Sequence, residues 1–193
     1  MKEDNILLFD TETAGLPKKY NTPISDLNNW PRVVSVAWLL YEDGKLSEEC
    51  DFIIRPEGFV IPPDVARIHG ITTEKALADG EDLSVVLRNF AGYLNLVGTV
   101  VGHNLGFDEK VIGAEFLRKN IQHTLNNKEK VCTMDKSTNY CAISGRYGFK
   151  WPKLNELHIK LFGCSFENQH NALSDIRATA KCFWEMKRLK LIE

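Results

Sequence analysis

The sequence predicts an α/β layer fold built on a mixed five-stranded sheet. Two observations lead there. Strand-length apolar runs come first and are joined by a hairpin signal, and the hydrophobic period then lengthens to that of helices alternating with short strands. The 193 residues suit one domain with its own core, so residues 1–193 are read as a single unit.

The elements follow in order. Ile6 to Phe9 is a short buried strand. Val33 to Tyr41, the longest apolar stretch, is a second, interrupted only by Ser35. Glu42-Asp43-Gly44-Lys45 supplies an Asp-Gly turn, a strong hairpin signal. A third strand runs from about Leu46 to Ile54, and Pro56 stops it. Asp82 is an N-cap for a helix with Leu83, Val86, Leu87, Phe90 and Leu94 on one face. Val100 and Val101 make a short strand ending at Gly102, and a helix follows from Phe107 to about Lys119. A fifth strand lies near Val131 and Cys132. Leu154 to Phe162 is a helix that Gly163 ends. The last helix runs from Asn171 to about Leu189, with Leu173, Ile176, Ala180, Phe183 and Trp184 inward. The long loop from Ala14 to Arg32 has the length of a functional segment. Within it, Lys18, Lys19 and Tyr20 are placed to approach a ligand, and Trp30 to pin the loop to the core.

Composition excludes several classes. Apolar residues make 44% and charged residues 26% of the chain, so disordered and fibrous classes are out. No apolar run is long enough for a membrane-spanning helix, which needs about 20 residues. The N-terminus lacks the apolar stretch of a secretory signal, so a cytoplasmic location and no membrane partner are expected. The five cysteines are odd in number and have no C-x-x-C spacing. They are read as reduced core thiols rather than a disulfide framework or zinc site.

Three clusters carry chemistry. Asp10 and Glu12 lie two apart on a strand end and share a face, while Thr11 points away. Gly102-His103-Asn104-Leu105-Gly106-Phe107-Asp108 joins a strand to a helix. His170 precedes the last helix and Asp175 lies on it. Each cluster has an ordinary structural reading: solvated strand-end acids, an acid complementing a helix dipole, or an N-cap at Asn171 beside a surface acid. Together they place four carboxylates and one imidazole at the edges of one crevice beyond the strand ends. Four acids repel unless cations sit between them. Oxygen donors select hard ions, so two divalent cations, Mg²⁺ or Mn²⁺, are expected. Two such ions can clamp the attacking and leaving oxygens of a phosphoryl displacement, and an imidazole suits deprotonating the water. The 24 basic and 26 acidic residues balance at −2, mildly against a nucleic-acid partner. Setting those four acids aside leaves 24 against 22 and weakens the objection.

At this point the sequence resembles the DEDDh 3′→5′ exonucleases, a family that includes the proofreading subunit of bacterial DNA polymerase III, ribonuclease T and oligoribonuclease. The first motif of that family resembles Asp10-Thr11-Glu12-Thr13-Ala14-Gly15-Leu16. The second resembles His103-Asn104-x-x-Phe107-Asp108, and the third resembles His170 with Asp175 five residues on. His69-Gly70-Ile71-Thr72 and Lys153-Leu154 with Leu157 match further family features. The motifs come in the family's order and span nearly the whole chain.

The resemblance implies a ribonuclease H-like fold. It implies that Asp10, Glu12, Asp108 and Asp175 hold two metals and that His170 is the general base. Thr13, Leu16, His69 and Phe107 match positions that cradle the 3′-terminal nucleotide. The implied reaction shortens DNA, single-stranded by expectation, from its 3′ end and releases nucleoside 5′-monophosphates. An RNA-trimming enzyme of the same family is the alternative, and a catalytically inactive nucleic-acid-binding module is a weaker one, since all five chemical positions are filled. A homodimer is one open state. The chain stops at Glu193, just past the last helix, where the polymerase subunit continues into a polymerase-binding tail. A stable polymerase association is therefore not expected.

Overall fold

The apolar run after Asn5 forms β1 (Ile6–Thr13), central in the computed structural model, which describes residues 5–192. Met1 to Asp4 and Glu193, on which part of the reading of the chain ends rests, lie outside the described residues. β2 (Val33–Glu42) pairs antiparallel with β1 and with β3 (Lys45–Ile53). Asp43 and Gly44 between β2 and β3 have φ of 50° and 76°. These are the two positive values of a type I′ turn, which matches strand twist. β4 (Thr99–Gly102) lies parallel to β1, and β5 (Glu129–Cys132) lies parallel to β4. The sheet order is β3-β2-β1-β4-β5, the expected meander plus parallel strands. The ends of β1, β4 and β5 therefore point the same way.

The helices found from periodicity form close to their expected bounds. Counting every helix in chain order, α1 is Pro63–His69, α2 is Thr73–Asp79, α3 is Leu83–Leu94 and α4 is Leu105–Lys119. α5 is Thr133–Cys141, α6 is Leu154–Phe162 and α7 is Ala172–Arg188. Asp82 caps α3 by accepting from the amides of Ser84 (2.8 Å) and Val85 (3.1 Å). Gly163 ends α6 at φ 75°, a left-handed conformation that glycine adopts without a Cβ clash. α4 begins at Leu105, two residues before the expected Phe107. Helices α1, α2 and α5 were not expected. The first two have seven residues each, too short to show two periods. α5 turns Thr133 and Ser137 inward alongside Cys141, so its buried face is largely polar.

Strand alternation sorts the core onto two faces. Leu7 and Phe9 face α3 and α4, where Phe9 meets Phe90 edge-on at 5.2 Å. Ile6 and Leu8 face α6 and α7, with Leu157, Ile176 and Phe183. The 14–32 loop is tied down rather than loose. Trp30 is 3% exposed and donates from Nε1 to the Pro23 carbonyl at 3.0 Å. Glu115 of α4, fully buried, takes Arg32 Nε at 2.8 Å and the Val33 amide at 3.1 Å. Arg118 bonds the carbonyls of Leu27 and Trp30. The result is a rigid rim directly after the first motif. All five cysteines are free thiols, and no described helix is long and apolar enough to cross a membrane.

Candidate active site

The two-residue period of β1 puts Asp10 and Glu12 on the face that carries Ile6 and Leu8, the face covered by α7. A register shift in the pairing with β2 falls between Glu12 and Thr13, an irregularity that re-aims a strand end. Asn171 caps α7 by accepting from the Ser174 amide at 3.0 Å, which places Asp175 in the first turn. There it meets β1. One carboxylate oxygen from each of Asp10, Glu12 and Asp175 lies within 4.8 Å of the other two.

The fourth acid stands beside these three and is held differently. Asn104 takes a left-handed φ of 66° and swings the chain from β4 into α4, leaving Asp108 on the first turn. The Asp108 carboxylate is buried and accepts from the Thr11 hydroxyl at 2.6 Å and the Thr11 amide at 3.0 Å. Thr11 does point away from Asp10 and Glu12, as strand alternation requires. It points at Asp108. The sequence reading missed this tether, although the same alternation that pairs Asp10 with Glu12 aims Thr11 at the α4 face.

The electrostatics are those of unneutralised acids. Burial, then the charges of Asp108, Asp175 and Glu12, hold Asp10 well above the carboxylate range. Burial and the charges of Asp175 and Asp108 push Glu12 up to about 8. Burial raises Asp108 to about 7 against the Thr11 hydrogen bonds, and raises Asp175 to about 6 against the His170 amide. No lysine or arginine is ion-paired to any of the four among the described residues. Asp175 Oδ1 is buried and has no hydrogen-bond partner. An oxygen-only donor set with surplus negative charge and an orphaned buried oxygen fits a hard divalent cation.

The sequence profile of the RNase_T exonuclease family matches residues 7–183. The chain belongs to this exonuclease family. Its kinship is with the DEDDh-type 3′→5′ exonucleases, which are nucleases and so phosphodiester hydrolases. The chain is 24% identical over 188 residues to a PolC-type DNA polymerase III of Pediococcus pentosaceus. It is 26% identical over 187 residues to that of Listeria innocua. Those alignments take in 97% and 96% of the chain but only 12% and 11% of the polymerases. Among solved structures, Escherichia coli exonuclease I bound to a dT13 oligonucleotide superposes with a TM-score of 0.76 at 20% identity, over 97% of this chain and 43% of that one. Its zinc-bound form with single-stranded DNA gives 0.77 at 19%, over 98% and 42%. The likeness establishes a ribonuclease H-like fold, as the motifs imply.

Of the remaining predicted residues, His170 is bonded to the acid cluster. His170 is exposed, at the left-handed φ of 65°, a conformation that costs a non-glycine residue about 1–2 kcal/mol. Its amide donates to Asp175 Oδ2 at 3.1 Å, so this strained backbone is locked to an acid of the cluster. His170 and His69 line one surface cavity of about 410 Å³ between the end of α1 and the start of α7. His69 is 7% exposed; its Nδ1 accepts from the Ile71 amide at 3.2 Å, which orients the ring as a turn histidine. Its Nε2 is buried toward the Thr13 backbone, and burial lowers its pKa against that contact. Thr13 is buried and donates its hydroxyl to the Gly15 carbonyl at 2.6 Å, so that hydroxyl shapes the turn that presents Leu16. Leu16 is 73% exposed and Phe107 is half-buried, which leaves apolar surface at the rim. His103, quoted in the second motif, is a structural member. Its ring bridges the Thr133 hydroxyl and the Pro152 carbonyl, each at 3.0 Å, and burial lowers its pKa to about 4. Lys18, Lys19 and Tyr20 are exposed on the loop rim.

A stability test follows from the raised carboxylates. An acid whose pKa is raised by folding stabilises the fold below its unfolded pKa, near 4, and loses that contribution as pH climbs through the folded value. Without metal, Asp175, Asp108 and Glu12 lose theirs through about 6, 7 and 8 in turn. The melting temperature in EDTA should therefore fall from about pH 5 to about pH 8.5, and excess Mn²⁺ should raise it more at the upper pH, where the acids are ionised. Equal Mn²⁺ gains at both ends would show that the ion binds elsewhere.

Proposed function

We propose that the chain hydrolyses single-stranded DNA from its 3′ end, one nucleotide at a time, and releases nucleoside 5′-monophosphates. The observation that carries this reading is the convergence of Asp10, Glu12 and Asp175, with Asp108 tethered beside them and no lysine or arginine ion-paired to the set among the described residues. Asp10, Glu12 and Asp175 would hold one divalent cation, and Asp108 with Asp10 would complete the donors for a second, Mg²⁺ or Mn²⁺ in each case. When bound, such ions stabilise charge on the attacking and leaving oxygens of an in-line displacement.

The chain's own residues do the rest. His170 takes a proton from the attacking water at its imidazole nitrogen. The water oxygen bonds to phosphorus, the bond from phosphorus to the 3′-oxygen of the penultimate nucleotide breaks, and that oxygen regains a proton. The Thr11 hydroxyl and amide keep Asp108 in one orientation throughout. Leu16 and Phe107 offer apolar faces to the terminal base, a contact that tolerates any base. Thr13 and His69 complete that cradle, Thr13 through the turn it closes and His69 through the cavity it lines with His170. A single-stranded DNA substrate is supported by the family and by the oligonucleotides, dT13 and dA16, bound to the exonuclease I neighbours.

The test uses 5′-labelled oligothymidylate and oligouridylate with Mg²⁺, Mn²⁺ or EDTA. The expected result is a ladder shortening from the 3′ end of the DNA, absent in EDTA. Faster shortening of the RNA would move the assignment to an exoribonuclease, and a gel shift without cleavage to a binding module.

A further inference from the structure

The segment joining α5 to α6 is not used by the site described above. It forms a small hairpin, β6 (Ser144–Gly145) with β7 (Gly148–Phe149), closed at its base by the Lys150 amide donating to the Ile143 carbonyl at 2.9 Å. From Ser144 to Lys153 the sequence interleaves Arg146, Tyr147, Phe149, Lys150, Trp151 and Lys153 with no acidic residue. All three aromatic rings stand in solvent: Tyr147 is 90% exposed, Trp151 66% and Phe149 54%. Three neighbouring rings, each more than half exposed, mark a contact surface rather than scattered apolar residues. Arg146 lies over the Tyr147 ring at 5.2 Å. Lys150 is neutralised by Glu156 at 2.6 Å, while Arg146 and Lys153 have no ion pair among the described residues.

The hairpin is also fixed to the edge of the sheet where the acids lie. The Pro152 carbonyl, next to Trp151, bonds the ring of His103 at 3.0 Å. His103 follows the end of β4 and sits five positions before Asp108. The hairpin is thus anchored at the strand end from which α4 and Asp108 start.

We propose that the β6–β7 hairpin is a stacking platform for single-stranded DNA on the 5′ side of the nucleotide being removed, with Trp151 and Tyr147 taking bases and Arg146 and Lys153 taking phosphates. Alternation of rings and cations matches the alternation of bases and phosphates along a single strand. This rests on the exonuclease reading above, and its test separates the two.

The full chain is compared with Trp151→Ala, Tyr147→Ala and the double variant. Both rings are mostly exposed, Tyr147 at 90% and Trp151 at 66%, so melting temperatures should stay close to the wild-type value. Two substrates are used with Mn²⁺: an oligothymidylate of about 12 nucleotides, long enough to reach the hairpin, and the p-nitrophenyl ester of thymidine 5′-monophosphate, which reaches only the terminal-nucleotide cradle. For the double variant KM on the oligonucleotide should rise at least about tenfold, as expected for lost base stacking, with kcat and the kinetics on the ester unchanged. In EDTA, oligothymidylate should quench tryptophan fluorescence in the wild type, and Trp151→Ala should lose that component. Unchanged KM and unchanged quenching in the variants, with a wild type that cleaves both substrates, would overturn the platform. An effect seen with oligouridylate and not with oligothymidylate would overturn the choice of DNA. A wild type that cleaves neither substrate yet shows Trp151-dependent quenching would overturn the nuclease reading and keep the platform.

Discussion

Asp10→Asn should cut turnover on oligothymidylate by at least about a thousandfold, the scale of several kcal/mol of metal-derived charge stabilisation, while making the metal-free protein harder to melt near pH 8. The two effects have one cause. Asp10 lies at the centre of the acid cluster, within 4.8 Å of ligand atoms on both Glu12 and Asp175, and the charges of Asp108, Asp175 and Glu12 all act on it. Asn keeps the shape and one oxygen, removes one negative charge and relieves that repulsion. In a domain of this size each kcal/mol of relief is worth about 2–4 °C of melting temperature. Mn²⁺ should then stabilise the variant far less than the wild type. Activity assays and melts in EDTA and Mn²⁺ check it. An Asp10→Asn protein with wild-type turnover would sink the assignment of these acids to metal-assisted hydrolysis, and a drop in melting temperature at that pH would show that the carboxylate is needed for the fold rather than for an ion.

The second large effect is at His170. Its left-handed backbone argues for Asn rather than Ala as the replacement, because Asn adopts that conformation more readily and the amide contact to Asp175 can persist. His170→Asn should lower kcat by about 10²–10⁴-fold, as for a lost general base. The Mn²⁺-induced gain in melting temperature should remain, since the acids are intact. Loss of that gain together with the rate would make His170 a positioning residue for Asp175, and a wild-type rate would remove it from the mechanism.

Local rules made much of this molecule readable. The apolar run of β1, the Asp43-Gly44 turn, the Asp82 cap and the αL glycine after α6 all depend on neighbours in sequence, and each appears where expected. Strand alternation places Asp10 and Glu12 on one face. The family motifs bring His170, Asp108 and Asp175 into the same list of candidates. What escaped was of two kinds. Helices of seven residues carry too few periods to register, and α5 turns threonine and serine inward, so no apolar stripe announces it. The second kind is contact between distant segments: Thr11 with Asp108, 97 positions apart, and the His103 ring holding Pro152 across 49.

Residue types and their spacing are enough to name the fold class, the strand that presents two acids, and the family. Which of the four acids draw together, that Asp108 is steered by Thr11, that His170 shares a cavity with His69, and that three aromatic rings of one hairpin stand largely exposed are matters of packing. Carboxylates repel and gain nothing from proximity in the metal-free chain. Their convergence is imposed by two apolar faces of one sheet docking α4 and α7, and such long-range burial leaves no local mark in the sequence.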